Sequence, residues 1–535
     1  MKLSIVGNLI HDISDSAFSS LELTLSEIDL SENNLTTFPI ASLAKLRHLR
    51  SLRLEWNEIY FFPSVDNSDL VSLEYLGLNS NNFEFLSEDC LKFCPSLKKL
   101  SFHFNFINSI HYRAFYSLVN LNFIDLSHNR IKFINHNLFQ NNKNIEVINL
   151  SYNHLHHIHG LLCNLPSLTE VILNHNNILD VPIDSFHNSS KISTINLEMN
   201  CISNIHSESF TNLENLDKLQ LEFNYISKVP HDIFTNNNKL RTIRLDNNNF
   251  SELQNDTLWP LENAVTIRLN NNNLKFISKS HFMKSLKVEE IYLDHNRISF
   301  IEPGAFIKMT NLKYLNLKHN QLGDINDILP RLNLSSNPTF SWNSPKKFDN
   351  ITVLTYIYEL HMCNINMTNL DDVTFDSFIN LQNLYLKFNK IRRLSISPFS
   401  KLIMLENLDL SHNRISQLKT SNFRGLIKLR TLCLANNNIE SLESFAEELG
   451  NLKLLDLSHN KIQNILNDDL INLKELTVIY LSYNNIKYIS VTAFRNLNKL
   501  IEVDLAHNKL QAIPLELLNS IENHVQDISI KGETF

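Results

Sequence analysis

The sequence predicts an α/β solenoid, a curved stack of short coils with a parallel sheet on its concave face and loops and short helical turns on its convex face. Three observations carry this expectation. At 535 residues the chain exceeds the size at which one compact core keeps growing, so it must divide into domains or extend by repetition. Asparagine outnumbers glycine many times over, a balance unlike that of a glycine-dependent enzyme scaffold or a flexible linker. Most tellingly, the asparagines that close a Leu-x-x-Asn motif recur at a steady interval of about 24 residues, as from Asn33 to Asn57 to Asn81.

That series runs through Asn8, Asn33, Asn57, Asn81, Asn105, Asn129, Asn153, Asn176, Asn200, Asn224, Asn248, Asn272, Asn296 and Asn320. It resumes through Asn389, Asn413, Asn437, Asn460, Asn484 and Asn508, with Cys363 read as standing in for asparagine in one coil. Counted this way, with a disturbed coil at Asn337, the chain holds 22 coils and, from Asp527, the start of another. "KLSIVGN" at residues 2–8 fits the same pattern, so the first residues read as the middle of a coil rather than a leader, and both termini as raw cut ends. Each coil opens with alternating apolar residues, such as Ile124 and Leu126, which is the period of a strand with one buried face. A phenylalanine follows about ten residues after the motif, as at Phe115, Phe139, Phe186, Phe210 and Phe234. No unit this small buries its own apolar face, so neighbouring coils must stack.

The hexapeptide LSHNRI, at residues 126–131 and again at 410–415, shows what the repeated asparagine is for. At the end of a strand its short amide can satisfy backbone groups that would otherwise be buried unpaired. Asn129, Asn296, Asn413 and Cys363 are therefore read as a structural ladder, with the flanking His128 and Arg130 as a solvated rim.

The period breaks once. Asn337 follows Asn320 too soon for a normal convex side, and Cys363 then follows Asn337 slightly late. The turn-rich stretch SSNPTFSWNSPKKFDN fills that longer interval. The expected organisation is a first arc over 1–322, an irregular insertion over 323–350 with a kink or loop around Pro338 to Asp349, and a second arc over 351–535.

Little in the sequence suggests catalysis. No two glycines lie close enough to cradle a phosphate, and GxSxG and HExxH are absent. An enzyme is not expected, nor a cofactor or a metal. The histidines of NHLHHIHG, His154, His156, His157 and His159, straddle a strand exit where alternate side chains diverge, and are read as a polar edge. The six cysteines show no CxxC spacing, and disulfides stay open. The formal charge of -8 is spread without a basic block, so no nucleic-acid partner is expected. No stretch is long and apolar enough to cross a membrane, which leaves membrane association to segments outside this chain.

Two surface columns stand out instead. Glu198, Glu222 and Asp246 occupy the same place in three consecutive coils, with Arg244 on the same face to relieve their repulsion. They are read as an internally balanced patch, with a partner contact or a calcium site as alternatives. One position before the ladder asparagine, aromatic rings alternate with histidines: Trp56, Phe104, His128, Tyr152, His175, Phe223, His295, His319, Phe388, His412, His459, Tyr483 and His507. Exposed rings in a row suit an interface. Trp56, flanked by Arg53 and Glu55, is the leading anchor.

These coils resemble the typical type of extracellular leucine-rich repeat, and the stretch LSEIDLSENNLTTFPIASLAKLRHLRSLRLEWNEI, residues 25–59, is most similar to chaoptin-type adhesion proteins. The resemblance implies an extracellular or cell-surface glycoprotein that recognises protein partners, a second copy of itself among them. A Toll-like signalling receptor ectodomain and an intracellular scaffold are the alternatives. The cysteine clusters that usually cap such arrays are missing. Glycosylation candidates are Asn34, Asn188, Asn249, Asn255, Asn350 and Asn366; in so asparagine-rich a chain about ten sequons arise by chance, so they do not independently argue for secretion.

Overall fold

The computed structural model describes the chain apart from residues 63–69, 231–232, 254–260, 283–284, 303–304, 307–308, 310, 313, 323–330, 334–357, 373, 377, 444, 468, 491, 512–526 and 530–535. The expected loop from Pro338 to Asp349, and with it Asn337, lies outside the described residues. Two compact units emerge. The first comprises Met1–Asn273 and Ser280–Val288, the second Leu274–Lys279 and Glu289–Phe535.

In the first unit, three-residue strands follow one another in chain order from Lys2–Ser4 to Thr266–Arg268, each paired in parallel with the next. In the second, the same pattern runs from Glu290–Tyr292 to Asp527–Ser529. In most strands the middle residue, such as Ile124 or Leu384, points into the core and is fully buried while its neighbours are more open; at the first strand Leu3 is only half-buried. Parallel order is forced by the repeat, because every coil returns to its strand from the same side.

Across the coil, the phenylalanines form a second buried column. Phe186, Phe210 and Phe234 stack at 6.0 and 6.3 Å, as do Phe375, Phe399 and Phe423 in the second unit at 6.0 and 6.4 Å. Rings at the strand exit lie closer, Tyr152 and His175 being 4.0 Å apart. Within a unit the coils thus spread toward the phenylalanine side, and the sheet lies on the inner, concave side. Regular helix is scarce among the described residues: one α-turn at Ile40–Leu43 and 3₁₀ turns at Lys279–Phe282 and Thr420–Phe423. Two-residue strand pairs, such as Phe85–Leu86 with Ser109–Ile110, decorate the far side.

The asparagine column closes the strand-exit turns. Asn129, 6% exposed, donates its amide N–H groups to Leu126 O and Ser127 O of its own coil and to Phe102 O of the preceding coil, at 2.9–3.1 Å. Its Oδ1 accepts the Ile107 N–H at 2.9 Å. Asn413 repeats the pattern with Leu386 O and the Ile391 N–H, and the Asn296 Oδ1 takes the Leu274 N–H. Asn142 and Asn237 do similar work under the phenylalanine column.

One coil needs a correction. Leu360 pairs with Leu384, which sets Ile365, not Cys363, opposite the ladder residue Asn389. Asn364 carries the positive φ, 53°, that precedes every ladder position. Cys363 therefore occupies the place held by Lys387 in the next coil, and its thiol donates to Tyr385 O at 3.6 Å. An isoleucine has no amide to offer. The following Asn389 compensates by accepting two N–H groups, from Ile365 and Met367. The same register pairs Leu332 with Leu360, so the long interval after the short coil closes at Ile365 rather than at Cys363. Leu332 pairs on its other side with Leu315, so the sheet continues through this irregular stretch.

Candidate recognition surface

The strand exit brings two columns side by side. One is the buried asparagine ladder. The other is the residue just before it, held in every described coil at φ between 52 and 72°, the left-handed region. Gly7 opens this column and Asn247, Asn271 and Asn436 continue it, residue types that tolerate such a backbone well. Elsewhere large rings sit there although the conformation costs an ordinary residue about 1–2 kcal/mol. Trp56 is 64% exposed, Phe104 53% and Tyr483 48%. Glu32, Ser80 and Met199 share the same strained position, and the exposed rings of this column are candidates for contact.

The rings form ordered rows. In the first unit Phe104, His128, Tyr152 and His175 stack at 4.2, 4.1 and 4.0 Å with interplanar angles of 26, 11 and 13°. Stacking offsets part of the backbone cost. His103 packs edge-on against Phe104 and hydrogen-bonds Ser127 Oγ at 2.6 Å. Burial, and then His103, depresses the His128 pKa. One step beyond the ladder, the Arg130 guanidinium lies 4.5 Å over the exposed ring of Phe106. Sequence reasoning missed Phe106 and treated Arg130 as plain rim; the position after the asparagine was the signal to inspect. Phe223 is exposed, beside the exposed Met199 of the preceding coil.

Trp56 stands apart from these rows, and its neighbours are tied down. Glu55 accepts from Ser31 Oγ at 2.8 Å and from Tyr75 OH at 3.1 Å, and Arg53 lies 5.3 Å over the Tyr75 ring. Burial and the Glu55 charge push the Tyr75 hydroxyl up to about 12. Gly77 leaves the space in which the Glu55 carboxylate lies.

The acidic column behaves differently. Glu222 and Asp246, read in sequence as surface positions, have side chains 0 and 5% exposed. Arg244 covers them, its Nη1 2.5 Å from Glu222 Oε1 and its Nε 3.5 Å from Asp246 Oδ1. Gln220 donates to the same Glu222 oxygen. Burial raises the Glu222 pKa despite Arg244. Of the three acids only Glu198 keeps partial exposure. The patch is balanced internally, and it offers a partner little open surface.

A recurring acid serves the strand itself. Asp125 Oδ1 accepts both the N–H and the Oγ–H of Ser127, and Asp409 and Asp456 do the same for Ser411 and Ser458. In the second unit the sheet face adds rings that the column reading overlooked: Tyr292 with Tyr314 at 5.1 Å, and His361 stacked on Tyr385 at 4.3 Å. Reading the strand positions themselves, and not only the exit, would have found them.

The remaining candidates separate. His157 meets Asp180 and His159 meets Asp184, two distinct partners. Asn188, Asn249 and Asn366 are exposed and Asn34 is half-buried, whereas Asn255 and Asn350 lie outside the described residues. All six cysteines are free thiols. Among the described residues no helix is long and apolar enough to cross a membrane.

Known proteins share this architecture. The leucine rich repeat family matches residues 1–59, 71–131, 124–178, 166–226, 214–267, 262–322, 355–415, 403–462, 427–486 and 474–523. A zebrafish leucine-rich repeat and fibronectin type III domain-containing protein 1 is 33% identical over 82 residues, 15% of this chain and 14% of that protein's length. Among solved structures, TLR13 in complex with ssRNA13 aligns over 96% of this chain and 82% of its own, with TM-score 0.63 and 22% identity. The Drosophila Toll–Spatzle complex aligns over 98% and 83%, with TM-score 0.62 and 19% identity. The plant peptide hormone receptor RGFR1 in complex with RGF2 aligns over 100% and 96%, with TM-score 0.57 and 18% identity.

Proposed function

Because the chain belongs to the leucine-rich repeat family, a protein-recognition scaffold, we propose that it is a non-enzymatic cell-surface recognition module of the adhesion type. Its partner is a protein, with a second copy of the chain as the first one to test, and its contact surface is the concave face and strand-exit rim. The carrying observation is the row Phe104, His128, Tyr152 and His175, ordered by stacking, with Phe104 and Tyr152 exposed and the two imidazoles half-buried, and flanked by Phe106 and Arg130. Aromatic and arginine side chains are the residues that most often dominate binding energy. Adhesion suits a long, shallow repeat surface, because many modest contacts between opposed surfaces add through avidity.

Beads coated with the chain should cluster, and Phe104→Asn combined with Tyr152→Asn should abolish clustering. Asparagine suits the left-handed backbone, so melting of this variant should shift by no more than about 0.5 kcal/mol. Clustering that survives the double change would remove the ring row from the interface. Coated beads that never cluster would sink homophilic adhesion and leave the second reading, a receptor ectodomain that captures a separate ligand. That reading draws on the ligand-bound receptors among the structures of similar fold.

A further inference from the structure

In the second unit the strand-exit rim holds a groove of about 550 Å³. One wall is His459, Tyr483 and His507; the other is Lys461, Asn485 and Lys509, with ladder asparagines between them. The three rings stack at 4.3 and 4.2 Å and within 14° of parallel, so both faces of Tyr483 are covered. Stacked rings present edges to a groove, and here those edges carry imidazole nitrogens and a phenolic hydroxyl.

No carboxylate lines the groove. Of the nearby acids, Asp456 is committed to Ser458 and Asp504 to the Ala506 N–H, while the exposed Glu440, whose neighbour Ile439 accepts the Lys461 N–H, lies outside the lining. The entire chain carries a net charge of -8, yet this strip concentrates two ammonium groups with hydrogen-bonding edges and amides. Lys461 and Lys509 stand two coils apart, about 10 Å, which an extended peptide covers in about three residues. A single-stranded nucleic acid binds such strips by laying bases on open ring faces. The covered faces of Tyr483 deny it that mode, whereas side-chain carboxylates need only the charge and the donors.

We propose that this groove docks an acidic segment of a partner protein, its carboxylates paired with Lys461 and Lys509 and oriented by Tyr483 and Asn485. The proposal rests on reading the strand-exit rim as a contact surface, and its test does not depend on adhesion. A fluorescently labelled short polyglutamate peptide should bind the full chain at low ionic strength, seen as a rise in anisotropy that added salt reverses. Lys461→Glu with Lys509→Glu should weaken binding at least about tenfold. The milder Lys461→Ala with Lys509→Ala should weaken it less, and serves if the reversal disturbs folding as judged by circular dichroism. Lys239→Glu with Lys287→Glu, at a groove on the opposite, strand-start flank of the first unit, should leave binding unchanged. Absence of peptide binding, an equal loss in the flank variant, or tighter binding of an oligothymidylate of similar length would overturn the proposal. Beads that fail to cluster while the peptide still binds would count against adhesion alone.

Discussion

The ring row from Phe104 to His175 and the charged cluster of Glu222, Arg244 and Asp246 lie in the same unit, and the sequence offered both as candidate places to bind a partner, the cluster only as the alternative to an internally balanced patch. In the folded chain they part company. The rings project from a backbone conformation that resists them, and Phe104 and Tyr152 remain exposed. The charges are withdrawn, each carboxylate facing one guanidinium beneath the surface. Charge in a column is thus a poor guide to contact when the next coil supplies a counter-charge, because desolvated ions must satisfy one another before they satisfy a ligand. The rings of the row stack on one another, yet Phe104 and Tyr152 still keep a large part of their surface open.

The largest effect that tests this contrast is Arg244→Ala. It leaves two buried carboxylates without their cation and should cost about 3 kcal/mol in urea unfolding; a loss below about 1 kcal/mol would mean that the cluster is solvated after all. A smaller loss, about 1–3 kcal/mol, is expected for Asn129→Ala, which leaves the buried Ile107 N–H without its acceptor and removes one of the two amide donors to each of the Phe102 and Leu126 carbonyls. His128→Ala, one residue away on the exposed side, should stay within about 0.5 kcal/mol. Equal losses at these two positions would erase the distinction between ladder and rim.

The subtlest effect is on pH. Burial raises the Glu222 pKa in the folded chain, so the folded state holds this proton more tightly than the unfolded state. The group's contribution to stability is full below the ordinary carboxylate range and is lost as pH rises through the raised folded value. Glu222→Gln should therefore flatten the fall in stability from mildly acidic to neutral pH, and should stabilise at neutral pH by about 1 kcal/mol or less. An unchanged pH slope in the variant would show that Arg244 fully compensates the burial.

The fold was legible because its determinants are local and repeated: strand alternation, an amide at each exit and a phenylalanine on the far side leave one way to stack. The ladder was legible for the same reason, except in LHMCNINM. There the amide is missing, and only the register from Leu360 to Leu384 assigns the place to Ile365. Burial of Glu222 was not legible, since it depends on how Arg244 folds across from the next coil. The aspartates that cap Ser127, Ser411 and Ser458 were likewise read past, because a short acid on a concave face looks like a ligand for others until its own strand is seen to use it.

Each ladder amide reaches backward. Asn129 completes the turn of the coil before it, and Asn153 in turn takes the N–H of Ile131 and the carbonyl of Leu126. A coil emerging from the ribosome therefore leaves its exit turn unfinished until the next stretch of chain arrives to close it, and growth proceeds as a zipper with a direction. Tension applied at the two ends would meet that asymmetry: peeling a coil from the later end opens the turn of its predecessor, whereas peeling from the earlier end removes groups whose donors stay behind with a partner lost.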